Sequence, residues 1–319
     1  MSAALAIDAR KLTKRFGGFV AVDGLDLAVS EGEVFGLLGS NGAGKSTAIR
    51  MLCGLLRPSS GEARVLGVDV ARDPELVKRR IGYMTQRFSL YDDLSVRENL
   101  EFFGGIYGLS GAAGAERNRR AIEMADLTGK EDLTTGALPG GWKQRLALAC
   151  AMLHEPRMVF LDEPTGGVDP ISRRRFWERI DETAATGVTI LVTTHYLDEA
   201  EHCNRIGLMH DGRLVAEGSV SDLKGVFAGR AILEVVCPRY LEALEKLEAE
   251  SWVLEAAVFG TRLHVVVADA DEGRRLTLAL LAASGNGPAA VERIVPSLED
   301  VFIHTVERET RTRARGNAP

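Results

Sequence analysis

Two short segments carry the residue types that phosphate chemistry needs, and the first is a glycine-rich run. It matches the phosphate-binding loop pattern GxxxxGK[ST] and comprises Gly39, Ser40, Asn41, Gly42, Ala43, Gly44, Lys45, Ser46 and Thr47. Glycines let backbone N–H groups wrap phosphate oxygens, and a following helix adds the positive end of its dipole. We expect Lys45 to neutralise the β- and γ-phosphates, Ser46 to offer its hydroxyl to Mg²⁺, and Thr47 to contact the α-phosphate.

The second segment is an apolar run, residues 158–161, that ends in Asp162 and Glu163. Alone, such a run would usually be a strand end at the surface. After a phosphate-binding loop it predicts two carboxylates at the carboxyl end of a sheet, where open α/β sheets bind ligands. We expect Asp162 to hold the Mg²⁺ shell and Glu163 to orient and polarise the attacking water.

The flanking patterns predict an α/β fold with a P-loop. Apolar strand patterns cover residues 25–29 and 34–38, just before the loop, and a helix-compatible stretch follows it. Residues 94–127 have helical spacing divided by a flexible GLSGAAGA, which predicts an inserted helical subdomain over about 90–155. Further along, the sequence predicts a helix beginning at Pro139, a strand at 158–161, a helix from Ser172 and a strand at 188–193. Strands alternating with helices imply a largely parallel sheet covered on both faces.

A change of pattern near residue 225 predicts a second, smaller α+β domain. Residues 226–310 alternate in the order β-α-β-β-α-β, the ferredoxin-like arrangement, and end in a helix. The first domain therefore takes residues 1–225, and residues 311–319 are expected to be a disordered tail. The small domain shows no cluster with obvious chemistry, so we interpret it as a structural or partner-contact module.

Composition excludes several classes of protein. A net charge of −6 gives no general attraction for nucleic acid. The four cysteines lack disulfide or zinc-ligand spacing, which predicts buried reduced thiols. The first residues do not resemble a signal peptide, and no run of about 18 apolar residues is found. Any membrane role is therefore expected to need another protein.

Four further motifs follow in a fixed order and make the pattern specific. They are Gln86 in GYMTQ, the segment LPGGWKQR at 138–145, Asp169 in GVDP, and His195 in TTH. With the two segments above, residues 5–223 resemble the ABC ATPases. This resemblance implies ATP and Mg²⁺ as ligands.

The resemblance also implies roles for individual residues. Gln86 would sense Mg²⁺ or water and couple to a transmembrane subunit, and His195 would lie near the γ-phosphate. Phe16 occupies the place of the aromatic that stacks on adenine, although packing in the core stays open as an alternative. ABC ATPases pair head to tail, so Gly140 and Gly141 would donate to the partner's γ-phosphate and Asp169 would link the two sites.

Three segments, YDDLSVRENLEFFGGIYG, HYLDEAE and PSLEDVFIHTV, are similar to the ABC-2 type exporters, the branch with drug-resistance ATPases. The resemblance implies an ATP-hydrolysing subunit that powers export through separate ABC-2 type permease subunits, peripheral at the cytoplasmic face of the inner membrane. Two alternatives stay open. One is an ABC ATPase of DNA repair, chromosome structure or translation, although neither a long coiled coil nor a second P-loop is visible. The other is a nucleotide-dependent scaffold without turnover.

One departure from the family concerns Pro139. The family's signature reads LSGGQ, whereas this chain has LPGGW, so the serine hydroxyl that would bond the partner's γ-phosphate is missing. One interpretation is that Pro139 is simply a good first helical residue, because its fixed φ suits that position. The other is that the chain pairs with a different ATPase that carries an intact signature. The sequence thus leaves open a homodimer or a heterodimer.

Overall fold

A computed structural model describes residues 4–86 and 89–316, with the side chains of 311–316 excepted. The chain divides into two compact units, the first up to Glu217 and the second from Gly218 onward. This boundary lies eight residues before the predicted one. The short helix Val220–Lys224 is the reason, because it begins with a capping box at Ser219 and contacts the last helix of the second unit.

The strands of the first unit form two sheets within the described residues. They are β1 (Leu5–Phe16), β2 (Phe19–Ser30), β3 (Val34–Leu38), β4 (Ser60–Val65), β5 (Val68–Asp69), β6 (Ile81–Met84), β7 (Met158–Asp162), β8 (Thr189–Thr194), β9 (Arg205–His210) and β10 (Arg213–Gly218). The six-stranded sheet has the order β10-β9-β3-β8-β7-β6, with parallel pairing from β9 through to β6. As predicted for a parallel sheet under cover, β3, β7 and β8 are buried at every position.

The second sheet of this unit has the order β2-β1-β4-β5 and is antiparallel where β1 pairs with β2 and β4. Residues of both sheets and of the helix after β3 share one apolar core, to which Phe35, Leu37 and Ile49 contribute fully buried side chains. This core fixes the helix that follows the glycine-rich loop against the end of the parallel sheet.

The helices of the first unit are α1 (Lys45–Leu52), α2 (Pro74–Arg80), α3 (Val96–Ile106), α4 (Gly111–Met124), α5 (Gly140–Met152) and α6 (Pro170–Ala185). Helices α3, α4 and α5 share a separate apolar core around Leu100, Ile122 and Leu146, in the stretch predicted as a helical subdomain. One prediction differs here. The segment GLSGAAGA is not wholly a flexible divider, because α4 begins inside it at Gly111, where Gly114 allows a close approach to the backbone of Leu109.

The second unit is a four-stranded antiparallel sheet with helices. In chain order it contains α7 (Val220–Lys224), β11 (Ala231–Val236), α8 (Tyr240–Glu248), β12 (Val253–Phe259), β13 (Arg262–Val267), α9 (Ala270–Ala283), β14 (Ala290–Ile294) and α10 (Leu298–Gly316). The strand order is β12-β13-β11-β14. Helix α10 extends through residues 311–316, so the predicted disordered tail differs there, and residues 317–319 lie outside the described part.

Side-chain alternation gives the sheet of the second unit two different faces. Leu233, Leu263 and Val265 lie in a core with residues of α8 and α9. The alternate residues Glu234 and His264 therefore point to the other face.

Two further expectations concern the whole chain. All four cysteines are buried and unpaired, and burial raises the pKa of each thiol. None of the helices in the described residues is long and apolar enough to cross a membrane.

Candidate active site

The glycine-rich loop joins β3 to α1 at the carboxyl end of the parallel sheet. Gly44 stands just before α1 with φ 104°, and a Cβ on it would collide with the carbonyl oxygen of Ala21. Only glycine fits this conformation and this space. Because glycine has no side chain with which to cap α1, the N–H groups of the first turn stay available for an anion.

Lys45, the first residue of α1, turns its ammonium group back into the loop. Its Nζ donates to the carbonyl oxygens of Gly39 at 2.7 Å and Ser40 at 3.2 Å, and lies 3.2 Å from Oε1 of Glu163. Lys45 is 3% exposed and Glu163 8%. A buried positive charge is therefore held between the loop and the end of β7.

The two carboxylate oxygens of Asp162, the last residue of β7, differ in their hydrogen bonds. Oδ1 accepts from the hydroxyl of Ser46 at 2.8 Å and from that of Thr193 at 2.9 Å. Oδ2 is buried and has no hydrogen-bond partner among the described residues. A buried carboxylate oxygen without a partner is costly, which indicates a place built for an external donor or cation.

The remaining candidate catalytic side chains lie around Glu163. Its Oε2 accepts from Nε2 of Gln86 at 2.9 Å and lies 3.6 Å from Nδ1 of His195. Glu163 itself has φ 48°, a left-handed conformation that is strained for a residue with a side chain. The structure thus brings together Lys45, Ser46, Gln86, Asp162, Glu163 and His195, all predicted from the sequence.

Two other titratable groups near this cluster stay neutral. Burial, together with the negative charge of Asp162, raises the pKa of Tyr83 to about 12. Burial raises the pKa of the Cys53 thiol well above its usual value, and the charge of Asp162 adds to this shift. Both groups therefore stay protonated near pH 7 and do not serve as a base there.

Comparison with known proteins identifies the family of this chain. The family model described as ABC transporter matches residues 22–166. The daunorubicin resistance ATP-binding protein DrrA2 of Streptomyces coeruleorubidus is 39% identical over 318 residues, covering 97% of this chain and 98% of that protein. The chain belongs to the ABC transporter ATP-binding proteins. Its branch also contains the Nod factor export ATP-binding protein I of Rhizobium sp. (strain N33), 38% identical over 96% of this chain and 98% of that protein.

Other similarities cover about two thirds of this ABC protein. The probable multidrug ABC transporter ATP-binding protein YbhF of Escherichia coli (strain K12) is 53% identical over 218 residues, 68% of this chain. The match takes in only 38% of YbhF, so the chain spans well under half of that relative. Among solved structures, cbiO1 of Clostridium perfringens has a TM-score of 0.63 at 28% identity, over 68% of this chain and 89% of that one. The dimeric post-hydrolysis cassette MJ0796 with ADP and Pi has a TM-score of 0.62 at 27% identity, over 67% and 98%.

The signature segment of this ABC protein lies at the start of α5. Pro139 is the residue before α5, with φ −56° and ψ 151°, so the prediction of a first helical residue was wrong by one position. Its carbonyl oxygen accepts the first bonds of the helix, from the N–H groups of Trp142 and Lys143. A cap residue needs a side-chain acceptor, which proline lacks, and the first turn of α5 therefore has no side-chain cap.

Gly140 and Gly141 differ in their surroundings. A Cβ on Gly140 would meet no atom within 4 Å, whereas one on Gly141 would collide with the side chain of Ser172 at the start of α6. The second glycine is therefore required for the close approach of α5 to α6. Gly140 faces open space.

Asp169 and Phe16 make their contacts away from the cluster. Asp169 caps α6 by accepting from the N–H groups of Ile171 and Ser172, so this helix begins at Pro170 and not at the predicted Ser172. Hydrogen bonds from Ser172 and Ile171 hold the pKa of Asp169 below its usual value. Phe16 is 50% exposed with the ammonium of Lys14 5.2 Å from its ring centroid, so core packing is not its role.

Sequence reasoning missed Thr193, which contacts both carboxylate residues through Asp162 Oδ1 and the N–H of Glu163. The motif TTH drew attention to His195 alone. The available signal was a threonine at the end of an apolar strand, since such a strand ends beside Asp162 if the sheet is parallel.

Proposed function

We propose that this chain binds Mg-ATP at the glycine-rich loop and hydrolyses it to power export through separate membrane subunits. The observation that carries the proposal is the buried cluster in which Lys45 and Gln86 both contact the carboxylate of Glu163. Phosphoryl transfer depends mainly on positioning and charge stabilisation, and this cluster provides both at the end of the sheet. The similarity to DrrA2 and Nod factor export protein I over nearly their whole length supports export as the direction.

The residues at the end of β7 fit a magnesium ion. Mg²⁺ prefers oxygen ligands, and Ser46 and Asp162 present a hydroxyl and a carboxylate side by side. Oδ2 of Asp162 is buried and has no partner in the described part of the chain. We propose that Ser46, Asp162 and Gln86 hold the ion together with the phosphates. When bound, the ion neutralises charge on the β- and γ-phosphate oxygens.

Glu163 is the proposed base that orients the attacking water. Lys45 contacts its Oε1 and Gln86 donates to its Oε2, with His195 beside Oε2. When ATP enters, its phosphates compete for the ammonium of Lys45, which frees one oxygen of Glu163 to accept a hydrogen bond from water. His195 then lies near the terminal phosphate and supports charge developing there.

The other side of each nucleotide comes from a second ATPase subunit in this proposal. Gly140 and Gly141 would offer backbone N–H groups from the uncapped start of α5, and Asp169 would link the two sites. Phe16 is exposed and so accessible to adenine. Pro139 supplies no hydroxyl, so the partner is either a copy with a weakened contact or a different ATPase with an intact signature.

For the second unit we propose the ferredoxin-like class and a role in partner contact. The element order β-α-β-β-α-β and the antiparallel order β12-β13-β11-β14 support this class. Hydrogen exchange of the second unit, with and without the membrane partner, tests the role. Unchanged exchange would leave it a structural module.

Turnover of Mg-ATP by wild type and Glu163→Gln tests hydrolysis. The substitution should lower kcat by about 100-fold or more, because loss of a positioned base typically costs two to four orders of magnitude. ATP binding should persist, since the carboxylate that competes with phosphate for Lys45 is gone. Glu178→Gln is the matched control, because Glu178 is an exposed residue of α6 and should leave kcat unchanged. A wild type that binds ATP without turnover would indicate a scaffold instead.

A pull-down tests export and pairing. Tagged Glu163→Gln is recovered from detergent-solubilised host membranes with Mg-ATP, which should trap the closed assembly. We expect an ABC-2 type membrane protein, with the chain peripheral at the cytoplasmic face of the inner membrane. A second, different ATPase beside it would establish a heterodimer, and its absence a homodimer. Recovery of ribosomes or DNA-associated factors would favour a non-transport ABC ATPase.

A further inference from the structure

Thr193 occupies a position that touches both acidic residues of the site. It lies on β8 directly opposite Asp162 of β7 in the parallel register, and it is 0% exposed. The parallel order of the two strands brings their carboxyl ends to one edge, so its side chain reaches the site from the neighbouring strand. The residue is not a base, and its hydroxyl is the one polar group of its side chain.

The hydrogen bonds of this hydroxyl fix the direction of its proton. Oγ1 lies 2.9 Å from Oδ1 of Asp162 and 2.9 Å from the backbone nitrogen of Glu163. An N–H group can only donate and an ionised carboxylate can only accept. The hydroxyl therefore donates to Asp162 and accepts from Glu163, and one oxygen atom ties the two residues together.

The first of these bonds sets the orientation of the Asp162 carboxylate. A carboxylate rotates in a broad, roughly two-fold well about its last bond, so one donor would leave it loosely held. Thr193 and Ser46 both donate to Oδ1 and hold it from two elements, β8 and α1. Because Oδ1 is fixed, Oδ2 is also fixed in its buried position, where it has no hydrogen-bond partner among the described residues.

The second bond acts on the backbone of Glu163. This residue has φ 48°, and strained conformations of this kind persist only where the surroundings over-determine them. Its N–H is held by two acceptors of the same residue, the carbonyl oxygen of Thr193 at 3.1 Å and Oγ1 at 2.9 Å. Loss of the hydroxyl leaves only the longer of the two bonds.

We propose that Thr193 is a positioning residue for hydrolysis, which fixes through one hydroxyl the unpaired oxygen of Asp162 and the backbone of Glu163. The inference rests on the proposed ATPase function. It assigns to Thr193 a role in metal-dependent binding and in kcat, and none in the binding of ATP without metal.

Two pairs of substitutions isolate the hydroxyl. Thr193→Val keeps the branched shape, which suits a strand, and removes only the oxygen. The first pair is therefore wild type and Thr193→Val. The second pair is Thr193→Ser and Thr193→Ala, which also differ by that oxygen atom, and it replaces the first pair if Thr193→Val does not fold. The matched control is Thr189→Val, because Thr189 lies on the same strand and face and its buried hydroxyl accepts from the N–H of Gly32 at 2.9 Å.

Three measurements are made on each variant: kcat with saturating Mg-ATP, the affinity for a fluorescent ATP analogue with Mg²⁺ or with EDTA, and thermal stability. Thr193→Val should lower kcat by about 10- to 100-fold and weaken binding with Mg²⁺, because residues that orient a metal ligand typically have effects of that size. Its affinity in EDTA should stay within about twofold of wild type, since the loop contacts are unchanged. Thr193→Ser should behave like wild type, and Thr189→Val should lose stability without loss of kcat.

Two outcomes would overturn the inference. One is a Thr193→Val protein with wild-type kcat and wild-type gain in affinity from Mg²⁺. The other is an equal loss of kcat in Thr189→Val and Thr193→Val that follows their stability, which would make the hydroxyl merely structural. Failure of the proposed function looks different, because the wild type itself would then show no Mg-ATP turnover.

Discussion

Asp162 in the first unit and Asp300 in the second are both buried aspartates, yet their carboxylate oxygens differ in hydrogen bonding. Among the described residues, Asp162 accepts two hydrogen bonds on Oδ1 and none on Oδ2. Asp300 accepts on both, with Nδ1 of His264 2.6 Å from Oδ1, and the N–H and hydroxyl of Ser297 at 2.8 and 2.6 Å from Oδ2. The carboxylate of Asp162 can therefore still bind an external group through Oδ2. Both oxygens of Asp300 are already hydrogen-bonded within the second unit.

This difference separates a functional carboxylate from a structural one. Asp300 lies on α10 and its partner His264 on β13, so the pair fastens the last helix to the sheet of the second unit. His304 of α10 makes a second such contact, with Glu255 of β12. Burial alone raises the pKa of Asp300, but the hydrogen bonds from His264 and Ser297 outweigh burial and hold that pKa below its usual value.

The largest expected effect comes from Asp162→Asn. Asparagine keeps an oxygen that can accept from Ser46 and Thr193, but it removes the charge and replaces Oδ2 by a donor. We expect kcat for Mg-ATP to fall by about 100-fold or more, since a metal-dependent reaction loses a principal ligand. Thermal stability should change little or rise, because a buried charge is replaced by a neutral amide. A large loss of stability with turnover retained would contradict the functional reading of this residue.

Asp300→Asn should show the reverse pattern, with a smaller effect. Hydrogen bonds to a charged group contribute about 1.5–3 kcal/mol, so loss of the charge facing His264 should weaken the attachment of α10 by a comparable amount. Amides of β13 should exchange about 10- to 100-fold faster in hydrogen-exchange mass spectrometry, as expected for local opening of that free energy. Turnover of Mg-ATP should stay at the wild-type level. Exchange that is unchanged in β13 would show that the pair adds nothing to stability.

Much of both units could be predicted from the sequence, because short local patterns carry them. The strand of residues 34–38 before the glycine-rich loop is found where it was predicted, as β3. The cluster at the end of β7 was predicted by motif order and by the rule that parallel strands gather their carboxyl ends. In the second unit, alternating apolar residues gave the correct order of strands and helices.

Other features depend on contacts that no local pattern contains. Strand β1 was not predicted, and its pairing with β4 joins residues far apart in the chain, such as Ile7 and Val65. The role of Thr193 depends on β8 lying beside β7. The cap at Asp169 makes α6 begin at Pro170, two residues before the predicted start. The pair of His264 and Asp300 joins residues 36 positions apart, which periodicity does not report.

The smallest expected effect is on the pH dependence of the second unit. The pKa of Asp300 is lower in the folded chain than the value of about 3.9 expected when unfolded. Its stabilising contribution is therefore fully present above about pH 4 and is lost as the pH falls through the folded pKa.

The difference in exchange between wild type and Asp300→Asn, corrected for intrinsic rates, should thus narrow between pH 6 and pH 3. Glu234 also has a lowered pKa, mainly because of its hydrogen bond with Arg262, but it is present in both proteins and contributes little to their difference. No comparable narrowing is expected for peptides of the first unit, where the substitution has no partner to lose. If the difference in β13 exchange between wild type and Asp300→Asn stays constant down to pH 3, the charge of Asp300 does not hold α10 to the sheet. The contrast with Asp162 would then rest on hydrogen bonds alone.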